Sequence, residues 1–236
     1  MILAFETSAK AASVALLENG KLLGESYQNT GLTHSQTLLQ MAEDMLKTCG
    51  KTPADIKAVA VASGPGSFTG VRIGVAAAKG FAWGGEIPCV GVSTLEAMAE
   101  NLGVWQGIVV PTMDARRSQI YTAIFRAEGG KLKRMLDDCA ISYEELGERL
   151  NYFEKPIFLV GDGAQLCYNM LKEAVPGLIL PPEHRRHQRA AGVALVAEKI
   201  LATGERPNGG SLTPNYLRLS QAERERLEKQ KKEQSK

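Results

Sequence analysis

Hydrophobic and polar residues alternate with different periods along the chain, and each period predicts a type of element. Short apolar runs at residues 2–7, 12–17 and 21–27 are typical of strands, and the last two runs flank Asn19 and Gly20. This dipeptide readily adopts the positive φ angles of a tight hairpin turn. The pattern therefore predicts three antiparallel strands at the start of the protein.

A helix and a buried strand are predicted next. Thr33 and Gln36 have the spacing of a capping box, and apolar residues then recur at helical period up to Cys49. The run 58–62 is apolar at every position, which is typical of a parallel strand buried on both faces. A helix, a strand and a capped helix are predicted to follow at residues 71–83, 89–92 and 93–102.

A second β-led unit begins at Gly107. Its predicted strands are residues 108–112, 119–126, 131–136 and 157–160, and its predicted helices begin at Ser142, Gln165 and Arg189. Two copies of a hairpin-led unit predict a duplicated α/β fold. This is the layout of the actin-like superfamily of sugar kinases and Hsp70 ATPases (ASKHA), in which two ribonuclease-H-like halves enclose a nucleotide cleft. We expect halves at residues 1–105 and 106–220 and a charged tail at 221–236.

Composition limits the classes of function. The chain has 236 residues, 44% hydrophobic and 23% charged, with a formal net charge of +2, so overall charge does not favour RNA binding by the chain alone. The four cysteines are far apart, which predicts buried, reduced thiols rather than a zinc site or disulfides. No apolar stretch approaches 18 residues, so we expect a cytoplasmic protein that does not enter a membrane.

Three segments resemble the TsaB (YeaZ) family, and they occur in that family's order. They are Phe5–Ser8 followed by Ser13–Leu16, the long run Ser63–Gly74, and Pro214–Arg218. The resemblance implies an accessory subunit for making threonylcarbamoyladenosine beside the anticodon of tRNA. It also implies a heterodimer with the catalytic paralogue TsaD, a complex that includes the ATPase TsaE, self-association as a homodimer, and contact with tRNA through the complex.

Metal chemistry is not expected, and no catalytic residue is assigned. The catalytic paralogue binds a metal through two histidines spaced His-x-x-x-His, and the aligned positions here are Thr94 and Met98. His184 and His187 lie in an arginine-rich segment that would repel a cation. An M22-type metallopeptidase, a stand-alone actin-like ATPase and a regulatory homodimer remain alternatives.

A degenerate nucleotide cleft is expected. By resemblance to the superfamily, its candidate residues are Glu6, Thr7, Ser8, Asp114, Gly161 and Gly163. Arg116 and Arg117 replace the glycines of the second phosphate loop, so backbone amides there are less able to approach phosphate. We expect no tightly bound cofactor, and ATP or ADP only within the complex.

A stripe of small residues is predicted to contact a partner helix. Gly70, Gly74 and Ala78 recur at four-residue spacing with Ala77 beside them, which would let another helix approach closely. Packing against the chain's own sheet is the alternative. The family resemblance favours an interface made by the first two helices, and its predicted residues are Leu38, Met41, Met45, Gly70, Ile73, Gly74, Ala77 and Ala78.

Overall fold

The computed structural model describes residues 1–103 and 105–218, which form two five-stranded sheets. The first sheet has the order β3-β2-β1-β4-β5; β1, β2 and β3 are antiparallel, and β1, β4 and β5 are parallel. Its strands are β1 Ile2–Glu6, β2 Ala12–Glu18, β3 Lys21–Gln28, β4 Ala58–Gly64 and β5 Cys89–Ser93. The helices of this half are α1 His34–Thr48, α2 Phe68–Gly85 and α3 Thr94–Glu100.

The second half repeats this topology. Its strands are β6 Gly107–Arg116, β7 Gln119–Glu128, β8 Lys131–Ser142, β9 Ile157–Val160 and β10 Leu178–Ile179. Its helices are α4 Tyr143–Leu150, α5 Ala164–Leu171, α6 Glu183–Arg186 and α7 Ala190–Ala202. The order β8-β7-β6-β9-β10 and the strand directions match those of the first sheet, so the predicted duplication is confirmed.

Local signals explain several element boundaries. Asn19 and Gly20 have φ angles of 51° and 74°, as the predicted hairpin turn requires. The Ser93 hydroxyl accepts the Glu96 N–H at 3.2 Å and caps α3, which confirms that prediction. The capping box expected at Thr33 was wrong, because within the described residues the Thr33 side chain makes no capping hydrogen bond.

The helices form layers around the sheets, and two of them join the halves. Helices α1 and α2 cover one face of the first sheet, and α4 and α5 cover the outer face of the second. Between the sheets, α7 packs on the first sheet and α3 packs on the second. A Cβ at Gly192 of α7 would lie 2.1 Å from the Ala97 carbonyl of α3, so glycine permits this close crossing. Each sheet is therefore covered partly by a helix from the other half.

The short elements of the second half were not predicted. Strand β10 has two residues and α6 has four, which is too short for a periodic signal. Strand β8 continues to Ser142 instead of ending near residue 136. Cys89 and Cys167 are buried free thiols, as predicted, whereas the free thiols Cys49 and Cys139 are partly exposed, which corrects the prediction for those two. Among the described helices, none has the length and hydropathy needed to span a bilayer. The tail predicted at residues 221–236 lies outside the described residues.

Candidate functional site

The three segments that carry the family resemblance meet at the carboxyl ends of β1 and β4. The Ser67 N–H donates to the Ser8 carbonyl at 2.7 Å, and the Asn215 N–H donates to the Ser63 carbonyl at 2.7 Å. A Cβ at Gly64 would lie 2.4 Å from the Asn215 carbonyl oxygen, so this approach requires glycine. The β4–α2 loop is thus held between the first strand and the C-terminal segment.

The predicted interface stripe of α2 faces the chain's own sheet. Thr7 is fully buried and donates its hydroxyl to the Gly70 carbonyl at 2.8 Å. A Cβ at Gly70 would lie 2.1 Å from the Thr7 carbonyl, and one at Gly74 would lie 2.4 Å from the Thr7 Oγ1. Ala78 is fully buried as well. The prediction that Gly70, Gly74 and Ala78 meet a partner is therefore corrected: they let α2 approach β1.

The interface residues predicted on α1 are also core residues. Leu38, Met41 and Met45 are buried against the first sheet, in one cluster with Leu3 and Phe5. A partner could contact them only if α1 left the sheet. Of the predicted interface residues, Ile73 and Ala77 are the two that the structure leaves partly exposed.

The outward face of α2 carries a second stripe of small residues. Ala76 and Gly80 are exposed at four-residue spacing, one turn after the exposed Arg72, and a Cβ at Gly80 would meet nothing within 4 Å in the described part of the chain. Trp83, one turn further on, is 86% exposed, and Leu39 on α1 is 58% exposed. We call Leu39, Ile73, Ala76, Ala77, Gly80 and Trp83 the outer face. Trp83 also lines a concavity of about 670 Å³ beside residues 206–210.

Among the carboxyl groups of the described residues, Glu6 has the most strongly shifted pKa. It ends β1, is fully buried, and accepts the Ser8 N–H at 2.6 Å through Oε1. Its Oε2 has no hydrogen-bond partner among the described residues, and neither has the Ser8 hydroxyl. Burial, with a contribution from the nearby Asp162 carboxylate, raises the pKa of Glu6 from 4.5 to about 7.

Asp162 faces Glu6 from the second half, and the sequence analysis did not select it. It follows β9 and accepts the Gln188 Nε2–H at 2.9 Å. Surrounding protein partly excludes water from its carboxylate, although solvent still reaches the side chain, and this raises the pKa of Asp162. The charge of Asp114 raises that pKa further. This interaction is consistent with the prediction that Asp114 belongs to the cleft. The sequence analysis named Gly161 and Gly163, which flank Asp162, but not Asp162 itself.

Gly161 and Gly163 serve the packing of β9 on β6. The Gly161 N–H donates to the Arg186 carbonyl at 2.6 Å, and the Gly163 N–H donates to the Thr112 carbonyl at 3.1 Å. A Cβ at Gly161 would lie 2.1 Å from the Thr112 carbonyl oxygen. Both amides are therefore bonded within the chain, and the candidate role of Gly161 and Gly163 in contacting a nucleotide stays a prediction.

The segment predicted as a damaged phosphate loop is a tight turn between β6 and β7. Arg116, Arg117 and Ser118 have φ angles of 62°, 55° and 57°. The Asp114 Oδ1 accepts the Arg116 N–H at 2.7 Å, and the Arg218 guanidinium donates to the carbonyls of Ala115 and Arg116. The turn is closed by these contacts rather than open around a phosphate.

The positions aligned with a metal site lie inside the protein. Thr94 and Met98 are fully buried, and Met98 packs in the core between α3 and the second sheet. In residues 1–103 and 105–218, no group of three His, Cys, Asp or Glu side chains is arranged to hold a metal ion.

An aromatic contact fixes the C-terminal segment on the first turns of α2. The Phe68 and Tyr216 rings stack with centroids 4.5 Å apart, and the Arg72 guanidinium lies 3.8 Å from the Phe68 centroid. The Arg72 Nε donates to the Tyr216 hydroxyl at 2.7 Å. This end of α2 is therefore held from the inside by Thr7 and from the outside by Tyr216.

Two repeats of one sheet order, with an acidic residue ending β1 at the boundary between the halves, define a duplicated α/β protein. Comparison with known proteins is more specific. Residues 28–226 match the model of the family described as TsaD, tRNA N6-adenosine threonylcarbamoyltransferase. A Bacillus subtilis TsaB, a tRNA threonylcarbamoyladenosine biosynthesis protein, is 32% identical over 98% of this chain and 99% of its own length.

Two further relatives agree with this result. An Escherichia coli TsaB is 35% identical over 92% of this chain and 94% of its own length. A Pseudomonas aeruginosa crystal structure, described as similar to peptidase YEAZ, superposes with a TM-score of 0.77 at 27% identity, covering 92% of this chain and 99% of that one. The chain belongs to the TsaB family of tRNA threonylcarbamoyladenosine biosynthesis proteins.

Proposed function

We propose that this chain is a non-catalytic partner subunit that supports the transfer of threonylcarbamoyl to the adenosine beside the anticodon of tRNA. It pairs with TsaD, and TsaE joins the pair. Membership of the TsaB family supports a role in the biosynthesis of threonylcarbamoyladenosine in tRNA. The outer face carries the pairing, because exposed small residues at four-residue spacing allow a partner helix to approach closely, and the exposed Leu39 and Trp83 supply apolar area at its sides.

The interior of the protein supports the non-catalytic part of the proposal. Thr94 and Met98 are buried and offer no imidazole to a metal, and the amides of Gly161 and Gly163 are bonded within the chain. The chain therefore contributes a surface and leaves the chemistry to TsaD. Self-association would use the same outer face, so a homodimer and the heterodimer exclude each other.

Depletion of the protein, with purification from the same cells, tests this proposal. We expect tagged chain to co-purify TsaD at a near-equal molar ratio, and depletion to lower threonylcarbamoyladenosine in total tRNA. Unchanged modification after depletion would contradict the function. If depletion lowers the modification but no TsaD co-purifies with the chain, the pairing is contradicted and the role in modification is not.

A stand-alone ATPase is the second candidate, and the buried Glu6 is the observation that favours it. A carboxyl group with a pKa of about 7 can serve as a general base or acid at neutral pH. Calorimetric titration decides between the two. We expect no ATP binding by the isolated chain in the low-micromolar range, which corresponds to roughly −8 kcal/mol, and a tight complex would favour the ATPase.

A further inference from the structure

Four arginines without a carboxylate partner are brought together at one edge of the cleft. The ion-paired arginines elsewhere in the chain are Arg126 with Glu154, Arg134 with Glu96 and Asp138, Arg149 with Glu145, and Arg189 with Glu25. In residues 1–103 and 105–218, Arg72, Arg116, Arg117 and Arg218 have no acidic side chain within salt-bridge distance, and the same holds for Arg185, Arg186 and Arg206. Four guanidinium groups there keep their charge available to a ligand.

These arginines form one surface because the C-terminal segment links them. Tyr216 accepts a hydrogen bond from Arg72, and Arg218, two residues further on, binds the carbonyls of Ala115 and Arg116. We call Arg72, Arg116, Arg117, Tyr216 and Arg218 the arginine edge.

The backbone of the β6–β7 turn is strained in a way that presents two of these side chains. Arg116, Arg117 and Ser118 all have left-handed φ angles, which side-chain-bearing residues adopt rarely and at a cost in energy. Asp114 and Arg218 hold the turn through its backbone groups. The side chains of Arg116 and Arg117 are consequently left exposed next to each other.

An aromatic face lies beside the charged groups. Tyr216 is 40% exposed while its ring stacks on Phe68. Planar guanidinium groups recognise phosphate oxygens in a bidentate manner, and exposed tyrosine rings stack with unpaired bases. The combination of both groups on one surface favours a single-stranded or looped RNA over an acidic protein segment, which offers no flat base to the ring.

We propose that the arginine edge binds RNA, with the arginines contacting backbone phosphates and Tyr216 stacking on an unpaired base. The net charge of +2 fits a local contact of this kind, because the charge is placed by the fold and not spread over the chain. That the RNA is a tRNA rests on the proposed function, whereas RNA binding itself is argued from the arginine edge. The proposal adds a direct contact where contact through the complex was expected.

Binding of a fluorescent unmodified tRNA transcript tests the proposal, measured by anisotropy for the full chain alone and for the chain mixed with TsaD. The variant is Arg116→Asn with Arg117→Asn, since asparagine tolerates left-handed φ angles better than most residues. The control is Lys131→Gln with Lys133→Gln, which removes the same charge from exposed positions on β8.

We expect the arginine variant to bind RNA at least tenfold more weakly, and the lysine control to bind within twofold of the wild type. The slope of log affinity against log salt should fall by roughly 1.4–1.8, the value for two lost phosphate contacts. Equal RNA affinity of variant and wild type, in both the isolated chain and the mixture, would overturn the proposal.

Two further results would also overturn it. If micromolar ATP or tripolyphosphate displaces the RNA through Arg116 and Arg117, the edge is a nucleotide-phosphate site. If the variant keeps RNA affinity but no longer binds TsaD, the edge is a protein contact. The measurement on the isolated chain does not depend on TsaD, so failure of the proposed pairing leaves this test intact.

Discussion

The two faces of α2 carry the same spacing of small residues and do different things. Gly70, Gly74 and Ala78 are buried, and a Cβ at either glycine would collide with Thr7, whereas Ala76 and Gly80 are exposed. The four-residue spacing of small residues predicts close packing on both faces of α2, but it does not identify the element that packs on each face. The inner face of α2 packs on the chain's own sheet, so among the described residues of this helix the outward ones are those we propose for a partner contact.

The largest expected effect comes from enlarging the inner face. In Gly74→Leu the new Cβ would lie 2.4 Å from the Thr7 Oγ1 and 3.2 Å from the Val61 Cγ2, both in the core. We expect the free energy of unfolding in urea to fall by about 3 kcal/mol or more. A variant as stable as the wild type would show that α2 does not pack on β1 in this way.

Glu6, next to Thr7, gives the second effect, and it depends on pH. The pKa of Glu6 is about 7 in the folded state against 4.5 for an ordinary glutamate, so as pH rises the unfolded chain loses this proton first. Stability is therefore lost between about pH 4.5 and pH 7 and stays lower above that range. We expect the advantage of Glu6→Gln over the wild type in urea unfolding to grow by up to about 3 kcal/mol between pH 4 and pH 8. A difference that does not vary with pH would mean that folding does not raise the pKa of Glu6.

The contact of Tyr216 with the outside of α2 should contribute less to stability than the packing of α2 on Thr7. Tyr216→Ala removes the stack on Phe68 and the hydrogen bond from Arg72 at a partly exposed position. We expect a loss of about 1–2 kcal/mol in thermal or urea unfolding. Tyr216→Phe keeps the stack and should lose about half as much. Equal losses in both variants would assign the contribution to the hydroxyl alone.

The smallest effect is a gain on the outer face. Gly80 lies within α2, and within the described structure a Cβ there meets no atom within 4 Å. Gly80→Ala should therefore raise the free energy of unfolding by about 1 kcal/mol, because alanine is the better helix former. A loss of stability would place Gly80 against the chain itself and would remove the distinction between the two faces.

Much of the fold could be predicted because its signals are local. Asn19-Gly20, the cap at Ser93 and the apolar run 58–62 each depend on neighbouring residues, and together they set the order of the elements. The exchange of α3 and α7 between the sheets could not be predicted, since it depends on the close approach of Gly192 to Ala97. No spacing within one segment reports a contact between two helices so far apart in sequence.

The sequence identified some residues of the candidate site and missed others. Glu6 was selected by its resemblance to the acidic residue beside the first hairpin of the actin-like superfamily, and the structure shows that its side chain is fully buried. Asp162 was missed because it resembles an ordinary turn residue between two glycines. The direction of each α2 stripe could not be decided, because Gly74 and Gly80 have the same intrinsic properties and differ only in what the fold places beside them.

Binding of TsaD to the Gly80→Leu variant tests the central claim most directly. Leucine has room at this position in the isolated chain, and Asn169→Leu places the same side chain on the exposed surface of α5 as a control. We predict that Gly80→Leu folds with wild-type stability or better but binds TsaD at least tenfold more weakly, about 1.4 kcal/mol, whereas Asn169→Leu binds normally. A folded Gly80→Leu variant that binds TsaD as tightly as the wild type would contradict the assignment of the outer face as the partner surface.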